Sequence, residues 1–146
     1  EITQNVSNYL KIEDEKQIYS EKRLQEFAKS VKNHRSALLQ LLNELKRNGK
    51  KIVAISAPAK GNTLLNYCKI DSEILDYVTE RNPLKIGKFT PGMHIPVYSD
   101  ERLIEDQPDY ALILAWNFAE EIMQNNSKYR EKGGKFIIPI PEPKII

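Results

Sequence analysis

Ile52-Val53-Ala54-Ile55 is a continuous apolar run, and it stops at Ser56-Ala57-Pro58-Ala59-Lys60-Gly61-Asn62-Thr63 before a helix-like run, Leu64-Leu65-Asn66-Tyr67. A short unbroken apolar run is the pattern of a strand covered on both faces, which belongs to parallel sheets. The pattern repeats. Glu73–Thr79, Ile95–Tyr98, Asp109–Ala115 and Lys135–Pro139 read as strands. Gly61–Lys69, a turn at Glu101–Glu105, and Phe118–Lys132 read as helical, the last ended by Gly133-Gly134. Strands alternating with helices imply a parallel sheet with right-handed crossovers. The expected fold class is therefore α/β: a three-layer, Rossmann-like, mostly parallel sheet preceded by a helical segment.

That preceding segment sets the domain expectation: residues 1–49 helical, residues 50–146 the Rossmann-like domain. Residues 1–12 read as an extended entry and 13–48 as one long helix or two. Leu24, Phe27, Ala28, Val31, Leu38, Leu41, Leu42 and Leu45 form one stripe near a 3.6-residue period. Asn48-Gly49 is a helix stop. Pro139, Pro141 and Pro143 stiffen an extended tail, read as a packed edge segment.

At 146 residues, with 40% hydrophobic and 29% charged content, the chain can bury one core of ordinary size. A net charge of +2 argues against a dedicated nucleic-acid binder. No apolar run approaches the roughly 20 residues of a membrane span, and no signal-peptide pattern is seen. The single cysteine, Cys68, excludes an intramolecular disulfide and a cysteine-rich zinc site, and reads as core. The expectation is a cytoplasmic protein without metal. Glu1 stands where a Met would begin a complete chain, so the chain reads as a processed form or as a fragment of something longer.

Ligands in such sheets bind outside the strands' carboxyl ends. Ala57–Thr63 follows the first strand, where a helix N-terminus and a mobile Lys60 suit an anion, and where a plain tight turn would equally call for small residues. A dinucleotide fingerprint needs three glycines, but Ala54, Ser56 and Ala59 occupy those places. The P-loop order is absent too, since Lys60 precedes Gly61. Glu80 sits roughly 20 residues beyond the loop, where an acid accepts a ribose hydroxyl. Arg81 beside it suits phosphate, or a surface ion pair. His94 lies in a proline-bounded loop; it can act as a general base, but reads rather as a hydrogen-bonding or structural residue. Trp116 can stack on a base or sugar, or pack the sheet edge. Asn117 can bond a hydroxyl, or cap the helix that begins at Phe118.

Taken in order, these motifs resemble the C-terminal domain of SAM-dependent sugar C-methyltransferases. Ala57-Pro58-Ala59-Lys60-Gly61-Asn62-Thr63 matches that family's G-A-x-A-K-G-N-T loop after the leading Gly, which here is Ser56. Arg81-Asn82-Pro83 with Lys85 and Gly87 matches D-R-N-P-x-K-x-G, with Glu80 at the Asp. Pro91-Gly92-Met93-His94-Ile95-Pro96 matches P-G-x-H-I-P. Pro108-Asp109-Tyr110, Trp116-Asn117 and Gly133-Gly134-Lys135-Phe136 match later blocks.

The resemblance implies a domain that binds a nucleotide-diphosphate sugar, partnered by a SAM-binding domain outside this chain, which also supplies the base. It implies no catalytic residue here and no cofactor held by this chain. Ala57, Pro58, Ala59, Lys60, Gly61 and Asn62 would receive phosphate, with Lys85 and Arg81 offsetting its charge. Glu80 would accept a hydroxyl, and His94, Trp116 and Asn117 would line the sugar or base end. Ser56 departs from the family's Gly and resists a positive φ, which bears on how closely the backbone meets pyrophosphate. The alternatives are an interaction module that dimerises through the leucine stripe and a small NAD-dependent oxidoreductase.

Overall fold

The computed structural model describes residues 3–146. They fall into two compact units, one running to His34 and the other from Arg35 to Ile146.

The first unit contains helix α1 (Gln4–Glu15) and the opening half of α2 (Glu21–Arg47). The extended entry expected over 1–12 is thus corrected to helix from Gln4 onward; positions 1 and 2 lie outside the described residues. Polar i,i+4 pairing supports α1, with Gln4 Nε2 donating to Asn8 Oδ1 at 3.0 Å. The helical stretch breaks at residues 16–20, where Gln17 takes φ +50.

The second unit is built on β1 (Ile52–Ile55), β2 (Val78–Glu80), β3 (Val97–Ser99), β4 (Tyr110–Ile113), β5 (Lys135–Ile138) and β6 (Lys144–Ile145). Their order is β3-β2-β1-β4-β5-β6. The first five are parallel, and β6 runs antiparallel to β5. The fold is therefore the mixed α/β, mostly parallel sheet expected, and the proline-rich tail becomes its edge strand. Strand order reverses between β1 and β4, the topological switch point.

The period-2 alternation of strand side chains divides the core. Ile52 and Ala54 face one layer, with Val78, Leu112 and Ile137, under α3 (Ala59–Cys68) and the closing turns of α2. Val53 and Ile55 face the other, with Ala111, Ile113 and Phe136. That layer is closed by α4 (Glu101–Asp106), α5 (Ala119–Asn125) and α6 (Ser127–Glu131). Leu38, Leu42 and Leu45 of α2 are core residues here, whereas Leu24 and Phe27 are exposed. The leucine stripe is thus two surfaces with different fates.

Three local expectations are corrected. The second strand is three residues, not Glu73–Thr79, because Asp71 folds its own turn: its Oδ1 accepts from Glu73 N at 3.0 Å and its carbonyl from Leu75 N. The helix over Phe118–Lys132 is a 3-10 turn (Trp116–Phe118), then α5 and α6, divided at Asn126. Asn126 leaves helical geometry (φ −112, ψ 29), and its Nδ2 donates to the Ile122 carbonyl. Asn117 consequently caps no helix; it lies inside the 3-10 turn, and Phe118 holds the cap position without a side-chain bond.

Gly61 fixes how closely α3 approaches the sheet. A Cβ there would stand 2.6 Å from Leu114 Cβ and 3.2 Å from its carbonyl oxygen. Gly61→Ala should destabilise the domain by about 1–3 kcal/mol, the range for overpacking a filled core. Urea unfolding measures it, and an unchanged midpoint would show that α3 is free to retreat.

Candidate functional site

The carboxyl ends of β1, β2 and β4 deliver three loops to one edge of the sheet: residues 56–58, 81–96 and 114–118. β1 ends into Ser56, which takes φ +71 and donates its N–H to the Thr79 carbonyl at 2.8 Å. The serine adopts the left-handed conformation that a glycine would take freely, held there by bonding to the neighbouring strand. Pro58 then leads into α3. The first side of this edge is a cavity of about 450 Å³ between the start of α3 and the 81–96 loop.

Glu80 joins the walls of that cavity. Its Oε2 accepts from Ala57 N at 3.0 Å and from Lys85 Nζ at 3.1 Å. Its Oε1 accepts from Arg81 N at 2.9 Å and Asn82 N at 3.2 Å. A carboxylate has about four lone-pair sites, and four donors occupy them here. Burial opposes the charge, but the N–H groups of Ala57, Asn82 and Arg81 and the Lys85 ammonium outweigh it and hold the carboxyl below its usual range. Lys85 also donates to the Ala57 carbonyl at 3.0 Å. Two of its three N–H donors are thereby assigned, leaving one for the cavity that Lys85 lines.

The residues singled out from the sequence do not form one cluster. Ala57, Pro58, Ala59, Asn62 and Lys85 line the cavity together. Gly61 faces Leu114 instead. Lys60 Nζ lies over the Trp116 ring, 4.9 Å from its centroid, and 5.7 Å from that of Phe118. Trp116 and Asn117 line a separate open groove with Glu120 and Glu121. Arg81 Nε is paired to Asp100 Oδ2 at 2.8 Å, beside a crevice of about 190 Å³ over the switch point. His94 takes φ +53 and stacks on Phe89, with ring centroids 6.1 Å apart.

Sequence reasoning missed Leu84, Lys88, Phe89 and Thr90, which complete the cavity. Their signal was an apolar pair and a second lysine inside the loop already marked by its prolines. Leu84 and Phe89 are 74% and 61% exposed, unusual for large apolar side chains that merely fill a loop. Asn62 Oδ1 is buried without a hydrogen-bond partner, and so is Thr79 Oγ1. Asn66 ties the two walls, its Nδ2 donating to the Asn62 and Pro91 carbonyls, each at 2.9 Å. Gly92 lies flush against that amide, where any Cβ would collide.

Among the described residues, no group of three or more His, Cys, Asp or Glu is placed to hold a metal ion. None of their helices is long and apolar enough to cross a membrane.

The domain is a mostly parallel sheet with its candidate site residues spread along the carboxyl edge. Comparison with known proteins gives its class. The model of the C-methyltransferase C-terminal domain family matches residues 1–141, and the chain belongs to that family. It is 39% identical over 121 residues to C-methyltransferase NovU of Streptomyces niveus, covering 83% of this chain and 29% of that protein. The chain thus spans under a third of the relative's length.

Glu80 makes the edge sensitive to acid. A carboxyl held below its unfolded value, about 4.3, contributes stability above that value and loses it as pH falls through the folded one. Glu80→Gln should lower unfolding free energy by about 1–3 kcal/mol at neutral pH, and the gap should close towards pH 3. Urea titrations at both pH values test this; a gap that persists in acid would remove the charge from the explanation.

Proposed function

We propose that this domain binds the nucleotide-diphosphate part of an activated keto-sugar, the substrate of a parent SAM-dependent C-methyltransferase. The observation that carries the reading is the cavity itself. Apolar walls from Pro58, Leu84, Phe89 and Leu114 meet Lys85 and Lys88 beside the start of α3. Nucleotide sites have this composition: an apolar slot for the base, and cations with unpaired helix N–H groups for phosphate. The N–H groups of Ala59, Lys60 and Gly61 precede the first helical bond of α3, which Asn62 N makes to the Pro58 carbonyl.

Lys85 is the fixed phosphate donor, set in place by Glu80. On this reading Glu80 positions Lys85 and Ala57; it is not the hydroxyl acceptor that the Rossmann spacing implied. Lys60, resting on Trp116, is the mobile cation, and Trp116 with Asn117 receives the sugar end.

On this reading the switch-point crevice is not a SAM site. The switch-point crevice, where a doubly wound sheet takes a dinucleotide, holds only about 190 Å³, below the roughly 300 Å³ at which sites for such ligands begin. The methyl donor and the base belong to other parts of the parent enzyme, and this chain supplies substrate binding alone. The keto-sugar assignment rests on the family.

Titration calorimetry with a dTDP-sugar, SAM and NAD tests the proposal. The nucleotide-sugar should bind and weaken as salt is raised. Lys85→Met should weaken it about 10–100-fold, the loss of a charge-assisted hydrogen bond. Binding to NAD alone, or affinity indifferent to both Lys60→Ala and Lys85→Met, would overturn it.

A second reading has its own observation. Tyr9, Leu10, Leu24 and Phe27 are exposed on α1 and α2, which fits a homodimer or a docking surface for the SAM-binding domain. Sedimentation should then show a mass that rises with concentration and falls to the monomer with Leu24→Glu; a monomer throughout would reject the dimer.

A further inference from the structure

We infer that the switch-point crevice takes the sugar ring and that Ser56 is a specificity residue in it, its hydroxyl reading one hydroxyl or carbonyl of the sugar. This rests on the nucleotide-sugar reading above. It carries the sugar end from the Trp116–Asn117 groove across Phe118, which lines both spaces.

Ser56 holds a strained position. Its φ of +71 lies in the left-handed region, which glycine enters freely and a residue with a Cβ enters at a cost. The bond that fixes the turn, from Ser56 N to the Thr79 carbonyl at 2.8 Å, uses no side chain. Among the described residues the hydroxyl has no hydrogen-bond partner, and Ser56 lines the crevice. The fold therefore needs this turn but not this hydroxyl. Strain of that kind gathers where a side chain meets a ligand.

Asn126 lines the same crevice and is only 8% exposed. Its Nδ2 donates to the Ile122 carbonyl at 2.8 Å. Its Oδ1 has no partner among the described residues, yet it is not sealed from solvent. A buried amide with a free acceptor calls for a donor from the ligand. Arg81 is held to Asp100 through Nε, which leaves its other N–H donors for a ligand.

The ligand class follows from this set. A pyranose carries hydroxyls at its rim, for Ser56, Asn126 and Arg81, and C–H groups on its faces, for the exposed ring of Phe118. Asp100 and Glu121 outnumber Arg81 on the walls, which disfavours a phosphate there and suits a neutral ring. About 190 Å³ is too little for a nucleoside and enough for one ring. Ser56 leads through Pro58 into α3, so a sugar esterified to a diphosphate at the start of α3 lies beside the crevice.

The test is equilibrium binding of dTDP-glucose and of the methyl ester of dTDP, which has the same charge and no ring, to the intact chain. The unaltered chain should prefer dTDP-glucose by about 10-fold, the scale of one or two hydrogen bonds. Ser56→Ala keeps the strained backbone and loses the hydroxyl. It should cut the preference to less than about 3-fold and leave the methyl ester within about 2-fold. Ser56→Gly should lose the preference equally and unfold at the same or a higher urea concentration.

If Ser56→Ala keeps the full preference, or Ser56→Gly unfolds at clearly lower urea, the serine serves the fold and the inference is overturned while nucleotide binding stands. Equal affinity of the unaltered chain for the two ligands overturns it in the same way. If neither ligand binds, the nucleotide reading falls and takes the sugar site with it.

Discussion

One carboxylate organises the ligand edge of this domain. Glu80 stands at the end of β2, where the backbone of two loops leaves the sheet, and takes its four hydrogen bonds from both. Loops at strand ends carry unpaired N–H groups, and those of Ala57, Arg81 and Asn82 would otherwise turn to solvent. Satisfying three of them with one side chain fixes the 56–58 turn against the start of the long loop. It also places Lys85 between Glu80 and the Ala57 carbonyl. The cavity exists because these walls are held apart at a set distance. Asn66 repeats the device at the other end, tying α3 to Pro91.

The topology puts the switch point between β1 and β4, but the roomy cavity lies to one side of it, over β1 and β2. The reason is steric. Lys60 folds across to Trp116 and Phe118, and the Arg81–Asp100 pair borders the remaining crevice. On the other side the long β2–β3 connection contains no helix, so nothing packs down over α3's first turn. A loop stands where a doubly wound fold would place a crossover helix, and the space beneath it is the cavity.

How much of this was legible follows from which signals are local. Continuous apolar runs marked β1, β4 and β5, because burial on both faces writes itself into composition. The 82–96 loop was marked by its prolines and glycines, since these set backbone angles directly. The shortened β2 was not visible, because Ile74, Leu75 and Tyr77 look strand-like while Asp71 decides the turn. Asn126 broke the last helix through its own side chain, against a helical pattern on both sides. At the site, residue types were legible and hydrogen-bond partners were not. Glu80 has the spacing of a ribose acceptor, yet spacing carries no information about which donors reach it first. Phe89 and Leu84 were not singled out, because exposure belongs to the folded chain.

In a chain with a net charge of only +2, the cations at this edge are mostly engaged already. Lys85 is paired with Glu80, Arg81 with Asp100, and Lys60 with aromatic faces. Among the described residues, Lys88 has no ion pair at the cavity. Cations already paired attract anions weakly from a distance, so long-range steering is modest. What they retain is direction: an ammonium held by two acceptors points its remaining N–H one way. Donors fixed in this way lose less ordering entropy in any binding event.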